Sequence, residues 1–337
     1  MKIVLLIACV SSSASAVVTS DTAGSHIVAP GQITFGLNVD GVARIETLWS
    51  GFPLPVSSAT AALISDRHLL TAAHVFDSDS NNEVDRIPGV STTATFDLPH
   101  GSYQVAISLD NVRLIPQWYD TLSDLAIVEL DEPAPAAIPR YPLYGLRDEV
   151  GKPVILVGYG HTGHGATGVT DKSTVKRAGL NRIDALGEDV DLREIGLEVR
   201  LPAGSFLATD FDSGLAANNT FQTHMQIESD LGFGEDEVSS ASGDSGGPVF
   251  IDGAIAGVIA SSFSSFPTDA TPRVPFDSAW GTLGFQTRVS TFQEFITTAT
   301  NGQAVFVPEP STSALAALVM AIIAAACATQ NCLRRRR

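Results

Sequence analysis

Between Cys9 and Cys327 the chain contains no cysteine, and its third cysteine, Cys332, follows close behind the second. A disulfide framework is therefore excluded for everything between the termini, and hydrophobic burial must hold the fold alone. Positive charge is also scarce, with 20 Lys and Arg against 37 Asp and Glu and a formal net charge of −17. Five of the positive charges, Lys2 and Arg334 to Arg337, sit at the extreme ends, and without them −17 becomes −22. Such a surface repels nucleic acid and anionic lipid, whose binding requires clustered Lys and Arg. The chain also lacks internal repeats at solenoid spacing and any Gly-rich nucleotide loop, so no cofactor is expected.

What is present begins with two terminal addresses. Met1-Lys2, an apolar run from Ile3 to Val10, and Ala14-Ser15-Ala16 form the basic, apolar and small-residue pattern of a signal peptide over residues 1–16. Signal peptidase is the implied partner, and the exported chain would begin at Val17. At the other end, Val307-Pro308-Glu309-Pro310 precedes an Ala-rich apolar stretch and Arg334 to Arg337. This tail, 305–337, resembles a bacterial PEP-CTERM sorting signal. The resemblance implies an exosortase-type processing enzyme, transient membrane insertion through the short apolar segment, and a destination at the cell surface or outside it.

The body reads as all-β. Short apolar runs, among them 59–64, 103–109, 125–130, 154–157, 249–251 and 255–259, alternate or carry β-branched residues and are separated by Gly, Pro, Asn and Asp. Residues 17–36 show no periodicity and are expected to be a leader or propeptide. The prolines at 133, 135, 139 and 142 mark a connector between two halves. Near the end, Val289, Phe292, Phe295 and Ile296 share one helical face, predicting a helix over about 289–299 with Ser290 as its cap.

Three short stretches carry chemistry. In Ser242-Gly-Asp-Ser-Gly-Gly-Pro248, glycines flank Ser245 closely enough for the Gly243 and Ser245 N–H groups to point at one oxygen, an oxyanion hole. A serine nucleophile needs a base. Of the histidines, His74 closes an alternating strand and a turn of small residues, Thr71-Ala72-Ala73, that lets an imidazole approach a neighbouring loop. The base works best with a carboxylate that fixes its tautomer. Asp124, at the head of the apolar strand Leu125 to Leu130, is placed for that role.

These motifs, in the order His74, Asp124, Ser245, resemble those of chymotrypsin-fold, trypsin-like serine endopeptidases over roughly residues 40–300. The resemblance implies two packed antiparallel six-stranded Greek-key barrels, about 37–138 and 150–285, within a domain spanning 37–304. It implies a hydrolase that cuts protein or peptide substrates through an acyl-enzyme. An esterase on the same triad, and a non-catalytic surface or matrix protein keeping the fold, are the alternatives. Val157-Gly158-Tyr159-Gly160 matches the family's turn opening the second barrel. Asp244 matches the aspartate that pairs with a freed N-terminus in zymogen-activated members. Ile27-Val28 resembles that N-terminus only loosely, lacking the following Gly-Gly.

For specificity, the resemblance places Ser239 at the floor of the primary pocket and Gly284 in its wall. An uncharged floor and an open wall imply an apolar or aromatic residue before the scissile bond. Two metal patterns fall short. Asp77, Asp79, Asn81, Glu83 and Asp85 have calcium-like spacing but no Gly at loop position six and no Glu at twelve. His161 and His164 lack a third ligand.

Overall fold

The computed structural model describes residues 17–20, 26–50, 55, 57–172, 175–195, 198–263 and 278–307. The expected signal peptide and the Pro-Glu-Pro, apolar and arginine parts of the expected tail lie outside these residues. Among the described residues no helix is long and apolar enough to cross a membrane.

The period-two apolar patterns fold into two curled sheets. The first contains β1 (Val42–Trp49), β2 (Ser57–Leu63), β3 (His68–Thr71), β4 (Val90–Leu98), β5 (Gly101–Ile107), β6 (Val112–Leu114) and β7 (Ala126–Glu129). Their spatial order is β5-β4-β1-β2-β3-β7-β6, antiparallel throughout. The second contains β8 (Leu143–Tyr144), β9 (Pro153–Gly158), β10 (Arg177–Arg182), β11 (Ala185–Leu186), β12 (Phe206–Asp210), β13 (Pro248–Ile251), β14 (Ala254–Phe263), β15 (Leu283–Arg288) and β16 (Phe306–Val307). Its main path runs β10-β9-β13-β14-β15-β12-β11, with β8 joining β14 to β16. This is the expected chymotrypsin-like two-barrel architecture. Each sheet exceeds six strands because segments of two or three residues pair along the edges and occupy backbone groups left open there.

One apolar core runs through both sheets. Ile45, Leu63, Leu70, Phe96 and Ile127 of the first meet Val157, Tyr159, Phe250, Ile255 and Val258 of the second, all essentially without solvent contact. Thr60 bolts the sheets together. Its N–H donates to Ser245 O (2.9 Å), its Oγ1 donates to Gly243 O (3.1 Å), and the same Oγ1 accepts from the Tyr159 N–H (3.1 Å). The proline-marked connector is pinned to the first sheet through Ala134 N–Asp66 O and Tyr141 N–Leu63 O.

One local expectation is corrected. The last helix, α1, spans Gln293–Ala299 after a 3-10 turn at Val289–Thr291, and Ser290 does not cap it. Ser290 Oγ instead donates to Glu149 Oε1 (2.8 Å), which also receives Arg288 Nε (2.9 Å). The buried carboxylate competes better for the hydroxyl than the helix end does. Within the stretch 17–36, expected to be a leader or propeptide, the first residues pack against the body. Val17 and Val18 are fully buried, and Val18–Thr19 pairs antiparallel with Val238–Ser239 and parallel with Thr162–His164. Two consecutive valines have no helical or alternating signature, but here both of their faces are covered.

Candidate active site

His74 lies in the 3-10 turn Ala73–Val75 directly after β3, and Asp124 lies just before β7, the strand paired to β3. The antiparallel register Ala126–Thr71 therefore brings the two together although they are 50 residues apart. Asp124 grips the histidine twice: Oδ1 accepts the His74 backbone N–H (3.0 Å), and Oδ2 lies 2.6 Å from Nδ1. A carboxylate acceptor puts the proton on Nδ1 and leaves Nε2 as the basic nitrogen. Both side chains are buried. Burial alone pulls the imidazolium pKa down, but the charge and hydrogen bond of Asp124 outweigh it, so His74 titrates above 6.5. From the second sheet, Thr287 Oγ1 donates to Asp124 O (2.9 Å) and fixes the aspartate from behind.

The Ser245 loop is delivered to this edge by its neighbours. Gly246 has φ +83°, and a Cβ there would lie 1.9 Å from Thr71 Oγ1 and 2.2 Å from Thr60 O. Only glycine lets the residue after Ser245 touch the strand that leads to His74. Ser245 is half-buried, and its Oγ makes no hydrogen bond to another described residue. The Gly243 and Ser245 N–H groups likewise find no acceptor among the described residues. Donors left open beside a serine and a histidine are what an oxyanion site requires.

Asp244 is wholly buried and sets the loop's shape. Oδ1 accepts the Gly160 N–H and Oδ2 the Ala241 N–H, both at 2.8 Å. The backbone N–H of Val17 also acts on this carboxylate. Burial pushes this carboxyl up to about 7, against the opposing pull of those donors and the charge of Arg177. In sequence, Ile27-Val28 resembles a freed N-terminus only loosely. The structure puts Ile27 at 42% exposure, bridged to Arg177, and places Val17 at the aspartate. The signal was present in the sequence: Val17-Val18 directly follows Ala14-Ser15-Ala16.

Ser239 is buried, and Gly284 is tightly surrounded: a Cβ there would lie 2.7 Å from Thr209 Oγ1, 3.1 Å from Gln286 Nε2 and 3.9 Å from Ser240 Oγ. Gly284 thus admits protein side chains rather than leaving open space, and its surroundings are polar and uncharged. Apolar lining lies elsewhere. A small, mostly apolar pocket abuts Asp124 and is lined by Trp118, Leu122, Val199, Phe206, Phe263 and Phe285.

The Asp77, Asp79 and Asp85 carboxylates come within 4.8 Å of one another. Their oxygens are engaged in ordering the loop: Asp77 Oδ2 accepts Trp118 Nε1–H and the Asn82 N–H, both at 2.7 Å, and Asp85 Oδ2 accepts the Ser78 N–H at 2.8 Å. Trp118 opens the short helical turn that precedes Asp124, so Asp77 ties the chain after His74 to the chain before its partner.

A family model described as Trypsin matches residues 49–186, a span that includes His74 and Asp124 and ends before Ser245. No curated protein matches the chain. The family match supports a trypsin-like serine peptidase domain acting on protein or peptide substrates.

Proposed function

We propose that this chain is an exported serine endopeptidase using His74, Asp124 and Ser245. The observation that carries the reading is the double contact of Asp124 with His74, 3.0 Å to the backbone nitrogen and 2.6 Å to Nδ1. A carboxylate spent on orienting one imidazole has an evident purpose when that imidazole is a base.

In this reading His74 Nε2 takes the proton from Ser245 Oγ as it attacks the peptide carbonyl carbon. The carbonyl oxygen becomes an oxyanion held by the Gly243 and Ser245 N–H groups. The tetrahedral species collapses as His74 returns the proton to the departing amine, leaving an acyl-serine. Water, deprotonated by the same imidazole, then releases the acid.

The floor at Ser239 carries no charge and disfavours Lys or Arg before the scissile bond. An apolar or aromatic side chain on the acyl side is taken instead. Export follows from the signal pattern at 1–16, and surface delivery through an exosortase-type enzyme from the tail at 305–337. Cleavage after Ala16 would also turn the Val17 N–H at Asp244 into an ammonium, so that removal of the export signal and completion of the Ser245 loop become one event.

The deciding experiment is cleavage of a mixed peptide library by the wild-type chain and by Ser245→Ala. Cuts after apolar or aromatic residues, absent in the variant, are expected. Cuts after Lys or Arg would overturn the specificity, and ester turnover without any peptide cleavage would overturn the reaction class.

A further inference from the structure

Asp124 can steer His74 only if something other than His74 steers Asp124. Both of its carboxylate oxygens are turned on the histidine, Oδ1 on the backbone N–H (3.0 Å) and Oδ2 on Nδ1 (2.6 Å). Among the described residues no other group donates to this carboxylate. The pocket that abuts it supplies none. The Trp118 indole N–H is committed to Asp77 Oδ2 (2.7 Å), and Ser261, the hydroxyl in the pocket's lining, makes no hydrogen bond to Asp124.

One anchor remains, and it comes from the other sheet. Thr287 Oγ1 donates to Asp124 O (2.9 Å) across 163 residues of chain, with both residues buried. Thr287 is itself held on two sides, because β15 pairs it with Phe206 on β12 and with Val258 on β14. A β-branched side chain on a strand has few rotamers, so its hydroxyl is a fixed point. The main-chain bonds nearby act on other peptides. Ser123 N–H donates to Trp118 O (2.8 Å) and Ile115 N–H to Leu125 O (3.0 Å), which leaves the carbonyl of the Asp124–Leu125 peptide to Thr287.

We propose that Thr287 is a positioning residue for the acid–base pair. By fixing the plane of the Asp124–Leu125 peptide, it sets the direction in which the carboxylate leaves the main chain, and through it the tautomer and tilt of His74. This role presupposes that His74 is the base. Small errors in such alignment are costly, a displacement of about 1 Å being worth roughly a hundredfold in rate. The second sheet then supplies more than Ser245. It also aims the base carried by the first, so that seating the sheets on each other completes both halves of the site.

The test is a histidine titration by NMR on the full chain carrying Ser245→Ala, so that His74 is read without catalysis. With Thr287 in place His74 titrates above 6.5, because Asp124 outweighs burial. Thr287→Val keeps the shape and removes the hydroxyl, and it should lower that pKa. With Ser245 restored, the same variant should cut kcat by roughly tenfold or more and leave KM little changed. Thr287→Ser keeps the hydroxyl and should retain both properties. Thr300→Val, which loses a buried hydroxyl bonded to Ile296 O (2.8 Å) just beyond α1, should lower the thermal midpoint without moving the His74 titration. Thr287→Cys, a weaker donor, gives the second reading where Thr287→Val does not fold. A titration unmoved in the Val and Cys variants, or moved as far in Thr287→Ser, would overturn the proposal. A shift in Thr287→Val in a chain that cleaves no peptide would uphold the positioning role and count against the endopeptidase reading alone.

Discussion

Gly158 faces the Asp244 carboxylate so closely that a methyl group on its Cα would sit 1.9 Å from Oδ1. This last residue of β9 thus reserves space for the aspartate beside Ser245, and the next glycine, Gly160, supplies its N–H. Gly158→Ala should therefore displace Asp244 and its loop. Overpacking of this kind costs about 1–3 kcal/mol. A lower thermal midpoint together with a larger loss of kcat than of KM is expected, since the loop carries the proposed oxyanion donors.

Thr60 is expected to matter for catalysis although it lies on the first sheet, far from Ser245 in sequence. Thr60→Val removes one hydroxyl but orphans two partners, Gly243 O and the Tyr159 N–H. A buried group left unsatisfied costs about 1–3 kcal/mol. Chemical denaturation should show that loss, and kcat should fall because Gly243 is no longer held.

The pH profile follows from His74. The base must be neutral, and its pKa lies above 6.5 because Asp124 outweighs the effect of burial. Activity should therefore rise with pH to a half-maximum on the alkaline side of 6.5. Asp124→Asn removes the raising influence and the correct tautomer, so the limb should move to lower pH while kcat drops by roughly ten-thousand-fold.

The Val17–Asp244 contact predicts a difference between cut and uncut chains. In the uncut chain Asp244 has a folded pKa of about 7, above the 3.8 of an unfolded aspartate. A raised acid pKa contributes stability at low pH that is lost as pH climbs through the folded value. The uncut chain should therefore lose stability between about pH 4 and 7 relative to a chain beginning at Val17, whose ammonium keeps Asp244 ionised. Thermal midpoints of the two forms across that range check this, and parallel curves would count against the pairing.

Much of this was legible in the sequence, for a reason visible in the contacts. The short motifs around His74, Asp124 and Ser245 each hold their own turn and strand, so local patterning located them. Their neighbours are set by chain segments far away, and local patterning was silent there. Val17 reaches Asp244 across more than two hundred residues. Ser290 looked like a helix cap because nothing nearby in sequence announces Glu149. Gly284 looked like open space because Thr209 and Gln286 fill it from a neighbouring strand and from two residues along its own.

The central claim is that Ser245 is a nucleophile activated by His74. Covalent labelling of the folded protein with a fluorophosphonate probe, read by intact mass, tests it most directly. One adduct per chain on Ser245, absent in Ser245→Ala and strongly slowed in His74→Ala, is the predicted result. A folded wild-type chain that takes up no probe, or a Ser245→Ala chain that is still labelled, would contradict it.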